Sequence, residues 1–146
     1  MNELQNKYGI NAYLPKNDLE QFIHPDDIAA MQNHWNNLYL WVVLSTEGEY
    51  LLLYNGDVSI RVKPKLFQVF NPQPKFNFGD TVIEKSSPDR KGIIGHVCLH
   101  YEKKLPYYLL KIGDKKSSKW NFDEDLELLE KNLIIQSANP DNHFEL

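Results

Sequence analysis

Two stretches of this chain can be laid over one another without a gap. Residues 50–57 read Tyr-Leu-Leu-Leu-Tyr-Asn-Gly-Asp, and residues 107–114 read Tyr-Tyr-Leu-Leu-Lys-Ile-Gly-Asp. Each is a short apolar run closed by Gly-Asp, and glycine accepts the positive φ that a tight hairpin turn demands. Each is followed by a second strand-like stretch (58–62 and 115–120), in the first of which Val58, Ile60 and Val62 alternate with Ser59 and Arg61. A short turn ending in Leu66 and Phe67, or in Asp125 and Leu126, then leads to a last short strand. A chain that carries this order twice is constrained to two β-rich halves.

Strand, hairpin, single helical turn and closing strand is the order of an SH3-like barrel. The expected fold is therefore mainly β with a short N-terminal helix (α+β), built as two tandem SH3-like small barrels packed together. One continuous mixed sheet is the other arrangement open to this pattern. Asn71, Pro72, Gln73 and Pro74 stiffen the chain between the halves and mark a boundary. The expected units are 1–71 for the N-terminal helix and first half, 75–130 for the second half, and 131–146 for a polar tail, frayed from about Ser137.

Residues 1–22 read as irregular, with Tyr8, Ile10, Tyr13, Leu14 and Phe22 as anchors onto the body. A helix is predicted over 25–35. Pro25 suits a first helical position, and Asp26 and Asp27 oppose the positive end of the helix dipole. Ile28, Met31 and Trp35 give it one apolar face. The apolar run 38–44 has the length of a buried strand. In the second half, strands are expected at 81–84, 93–101 and 106–112, with a polar loop over 85–91.

Composition narrows the function classes. No apolar run approaches the roughly 18–20 residues of a membrane-spanning helix. The N-terminus has no positive stretch ahead of an apolar core, as a signal peptide would, and the single cysteine, Cys98, cannot form an internal disulfide. Both point to a reducing cytoplasm. The formal net charge is −4, without the positive excess that phosphate-backbone binding normally needs.

Chemistry-bearing residues fall into three groups. His96, Cys98 and His100 alternate along one strand, so they share a face opposite Val97, Leu99 and Tyr101. Imidazoles and a thiolate are zinc ligands, but His96 and His100 would stand roughly 13 Å apart at ~3.3 Å per residue. A polar strand face with a small buried cysteine is the expectation, with no metal, no cofactor and no catalytic residue. Acidic side chains at Glu47 and Glu49, and at Asp123, Glu124, Asp125, Glu127 and Glu130, offer patches for a basic protein partner. Lys103, Lys104, Lys115, Lys116 and Lys119, with Lys111, interleave with Tyr101, Tyr107, Tyr108 and Trp120, the mixture with which lysines hold phosphates and aromatics stack on bases.

Several of these residues also carry a resemblance. Tyr8, Gly9, Ile10 and Pro15, then 23–27 and 62–67, then 76–82, His100, 106–108 and 125–128 resemble a pattern of a family of uncharacterised small bacterial proteins with SH3-like halves. The resemblance covers about residues 8–129 and departs at Leu99, where that pattern has an aromatic. Such small acidic proteins are similar to immunity proteins of bacterial toxin systems. What this implies is a non-enzymatic protein-binding module whose partner is a toxin. The alternative is a nucleic-acid-binding module that uses the lysine and aromatic patch of the second half.

Overall fold

The computed structural model describes residues 3–11, 19–34 and 38–132. Tyr13, Leu14, Trp35 and the tail from Ser137 lie outside them. Among the described residues, ten strands form two five-stranded antiparallel sheets. In the first, β1 (Tyr8–Asn11), β2 (Trp41–Glu47), β3 (Tyr50–Tyr54), β4 (Ser59–Val62) and β5 (Phe67–Val69) lie in the order β4-β3-β2-β1-β5. In the second, β6 (Thr81–Glu84), β7 (Ser87–His100), β8 (Leu105–Ile112), β9 (Lys115–Lys116) and β10 (Leu126–Glu130) lie in the order β10-β6-β7-β8-β9. Each sheet is thus a four-strand meander whose fifth strand returns beside the first, after a 3-10 turn at Pro64–Leu66 or Asp123–Asp125. Neither sheet closes on itself.

The N-terminal segment departs from its expected irregularity. Tyr8–Asn11 is β1, an inner strand between β2 and β5. Four residues are too few to show a period, and both partners lie far along the chain. Gly9 is required there, because a Cβ would come 2.2 Å from the Gln68 carbonyl oxygen. Two more differences concern the second half. β7 starts at Ser87, since backbone pairing with β6 holds polar residues that show no apolar alternation. The strand expected at 115–120 is only Lys115–Lys116, and one isolated bridge from Asn121 to Tyr108 follows.

The predicted helix is a 3-10 turn, Pro25–Asp27, running into α2 (Ile28–His34), preceded by the four-residue α1 (Leu19–Phe22). His24 caps the turn through Nδ1, which accepts from the Asp26 N–H at 3.1 Å. Asp27 does more than oppose the helix dipole. Its carboxylate accepts from the Arg61 backbone N–H (2.8 Å), Nε (2.8 Å) and Nη2 (3.0 Å), tying the helical segment to β4. The same segment covers the β4 edge through His24 N–H to the Arg61 carbonyl and Lys63 N–H to the Phe22 carbonyl, so that edge does not face solvent unpaired.

Two apolar cores result, and the first sheet lies between them. Val43, Leu51, Leu53, Ile60 and Val62 pack with Ile23 and Met31 on the helical side. Tyr8, Leu40, Val42 and Leu44 pack with Phe76, Val82, Ile94, Val97, Tyr108 and Leu110 of the second half. Backbone pairing crosses the same junction, from Leu40 N–H to the Val97 carbonyl and from Leu99 N–H to the Leu38 carbonyl. The Tyr8 hydroxyl accepts from the Phe78 N–H (3.1 Å), and the Gln73 amide bonds both the N–H and the carbonyl of Tyr8 (2.9 Å each).

Among the described residues of the second half, the buried side chains of Asp80, Glu84, His96 and Asn121 are all hydrogen-bonded. Glu84, fully buried, takes Arg90 Nε at 3.1 Å, Lys119 Nζ at 3.0 Å and Asn121 Nδ2 at 3.4 Å. Burial works to raise its pKa, but the hydrogen bonds from Lys119, Arg90 and Asn121 outweigh it, and the carboxyl titrates below its usual value. Asp27 is lowered in the same way, burial being outweighed by the bonds from Arg61. A depressed carboxyl pKa stabilises the fold above the unfolded pKa, and the contribution is lost as the pH falls through the folded one. Chemical denaturation between pH 7 and pH 2 should therefore show stability falling below about pH 4.5. Glu84→Gln should cost about 1–2 kcal/mol at pH 7, because both cations are half exposed, and should flatten that acid limb.

Candidate recognition surface

On β7, Val97 points into the shared core and Leu99 packs against it. Alternation then turns His96, Cys98 and His100 to the opposite face, as the sequence pattern expects. A bulge between Ile94 and His96 sets that register. The three side chains take separate partners. His96 Nε2 lies 2.8 Å from Asp57 Oδ1 and its ring stacks on Tyr39, centroids 4.4 Å apart. Cys98 is buried and hydrogen-bonded to the Tyr107 hydroxyl. His100 stands edge-on to Trp120, centroids 5.6 Å apart. Among the described residues, no three His, Cys, Asp or Glu side chains are grouped to hold a metal ion.

The same face carries a concentration of aromatic rings. Tyr107, opposite Cys98 on β8, stacks against Trp120 with centroids 4.6 Å apart. Phe122 and His100 close the cluster at 5.6 Å. β7 ends at His100, and in the turn that follows Tyr101 leaves the face its alternation predicted. With Glu102 and Leu99 it joins Leu38, His100, Tyr107 and Trp120 around a shallow groove of about 320 Å³. Three of its apolar walls face solvent: Leu38 is 52% exposed, Trp120 53% and Tyr101 69%. Lys103 Nζ sits 4.7 Å from the Phe122 centroid and Lys104 Nζ 5.0 Å from that of Tyr101. Neither lysine makes an ion pair among the described residues. The sequence showed these aromatics interleaved with lysines. Trp120 facing solvent while Tyr108 is buried was not legible, because residues 117–121 have no strand period to assign their faces.

The other candidates are dispersed. Glu47 and Glu49 are exposed at the β2–β3 hairpin, where Glu49 pairs with Lys63 Nζ at 3.3 Å. Asp123 and Asp125 serve the fold. Asp123 accepts from the Tyr108 hydroxyl, which itself accepts from the Lys75 and Phe76 N–H groups, and Asp125 Oδ2 accepts from the Phe122 N–H at 2.8 Å. Glu124, Glu127 and Glu130 are exposed. The lysines divide as well. Lys103 and Lys104 flank the groove, Lys115 and Lys116 form β9, and Lys119 is spent on Glu84.

Over residues 1–127 the chain matches a family of unknown function, DUF6960. It belongs to that family. No curated protein and no solved structure matches it. For this DUF6960 chain, the described residues include no helix long and apolar enough to cross a membrane.

Burial pushes the Cys98 thiol up to about 12, against a smaller lowering by the Tyr107 hydrogen bond. Burial, then Cys98, likewise raise the Tyr107 hydroxyl to about 12. Reactivity follows the thiolate fraction. Iodoacetamide at pH 7.5 should therefore leave Cys98 unmodified in the folded chain over the time that fully labels it in denaturant, as read by intact mass.

Proposed function

We propose that this protein is a non-enzymatic, cytoplasmic protein-binding module that grips its partner with the outer face of β7 and β8. The observation that carries the reading is the solvent-facing aromatic groove, with Trp120 stacked on Tyr107 and, beside it, two lysines that make no ion pair among the described residues. Exposed Trp and Tyr seated on a rigid sheet are the residues that concentrate binding energy at protein interfaces. The partner that fits is an extended protein segment with aliphatic or proline side chains for the groove and a carboxylate for Lys103 and Lys104.

Each half is read as an opened SH3-like barrel. The shared strand order, with a helical turn before the returning strand, supports that reading. The sharper form of the function is immunity, with a bacterial toxin as the bound protein, and it rests on the sequence resemblance. Of the acidic candidates, Glu47, Glu124, Glu127 and Glu130 stay exposed and available as a second contact for a basic partner. Nucleic-acid binding is the other reading, favoured by the same exposed Trp120 and Tyr101 beside lysines.

Tagged protein should recover one stoichiometric protein from a lysate of the source organism, with or without nuclease. Trp120→Ala should weaken that complex by about 30-fold, the scale of an aromatic anchor. Glu124→Lys with Glu127→Lys should leave it unchanged. A partner insensitive to Trp120→Ala but lost on charge reversal would move the site to the acidic turn. Recovery abolished by nuclease would replace the protein reading with the nucleic-acid one.

A further inference from the structure

The outer face of the second sheet has another concavity, at the seam where the β3–β4 turn of the first sheet meets β7. The approach is close: a Cβ on Gly56 would come 2.4 Å from the Gly95 carbonyl oxygen. Beside this contact is a cleft of about 390 Å³, lined by Tyr39, Asp57, Gly95, His96, Lys111 and Lys116 among others. That volume lies within the range of small-molecule sites, and the aromatic groove is not part of it.

The two walls differ in charge. On one side Asp57 is occupied by His96 at 2.8 Å, and Tyr39 stacks on that imidazole. On the other side Lys111 of β8 and Lys116 of β9 are register partners, directly opposite one another. Like charges placed so repel and weaken the strand pair. Among the other cations Arg61, Lys63, Arg90 and Lys119 each meet a carboxylate, whereas Lys103, Lys104 and Lys115 do not among the described residues. Lys111 and Lys116 meet none among the described residues. Both side chains are exposed, so the pair offers an incoming anion two ammonium groups on the wall of a preformed cleft.

We propose that this cleft binds a small anionic molecule, whose phosphate or carboxylate group sits between the ammonium groups of Lys111 and Lys116. Binding there relieves the cross-strand repulsion and stiffens the short β9. The remainder of the molecule lies against Gly95 and the Tyr39–His96 stack.

The test is a titration of the 15N-labelled full chain with inorganic phosphate, pyrophosphate or citrate, at ionic strength held constant with sodium chloride. Saturable shifts at the Gly56, Gly95 and Ser117 amides are expected. Pyrophosphate binding more tightly than citrate assigns a phosphate group, and the reverse order assigns a carboxylate. Lys111→Gln with Lys116→Gln should weaken binding by at least about tenfold, and Lys115→Gln, at the neighbouring register position, should not. Gly95→Ala is a second probe that keeps the fold, since its Cβ makes only ordinary contacts of 3.5 Å to the Leu109 carbonyl and 4.0 Å to Lys111 Cβ. It should weaken binding several-fold by placing a methyl on the cleft wall. No saturable shift with any of the three anions, or equal losses in Lys115→Gln and Lys116→Gln, would overturn the proposal.

Discussion

Strand β2 has no solvent face from Trp41 to Ser45. Trp41 and Val43 point to the helical segment, while Val42 and Leu44 point to the second sheet. Burying a side chain of this size contributes about 1.5–3 kcal/mol, so these four positions outweigh any single polar contact in the molecule. They also make the two halves interdependent. Half of what β2 buries belongs to the second half, and units of this size bury too little surface to be robust alone. Because the chain enters β2 through Leu38–Leu40, already paired with β7, the seam between the sheets is bonded as well as packed.

That arrangement decides what the second half can present to solvent. Its inner face is committed to the shared core through Val82, Ile94, Val97, Tyr108 and Leu110. The outer face of β7 and β8 lies away from that core, and the strand alternation places His96, Cys98, His100, Tyr107 and Lys111 on it. Interior polar groups are neutralised locally: Glu84 by two cations and an amide, Asp80 by the Asn77 and Asn132 N–H groups, and the Tyr108 hydroxyl by Asp123 and two backbone donors. A hydrogen-bonded scaffold under an exposed aromatic face fits the recognition role proposed above, since preorganisation lowers the ordering cost when a partner binds.

The polar candidates were hardest to read because the same carboxylate serves either fold or surface depending on its neighbours. Asp123 and Glu124 are adjacent in a run of acids. One accepts the Tyr108 hydroxyl and the other faces water. Asp27 looked like a helix-dipole residue and is also the partner of Arg61, 34 positions away. Lys119 and Lys116 likewise differ only in whether Glu84 happens to lie within reach.

Local chemistry determined a good deal by itself. Glycine-marked turns, the 81–84 and 50–54 strands, the apolar run of β2 and the His96–Cys98–His100 alternation follow from steric rules and two-residue periodicity, which act within a few residues. The strand status of Tyr8–Asn11, the sharing of one core, the exposure of Trp120 and the opposition of Lys111 to Lys116 were decided only in three dimensions. Each depends on which distant segment supplies a hydrogen-bond ladder or an apolar surface, and pairing between β1 and β5 across 56 to 60 residues leaves no mark on local spacing in β1.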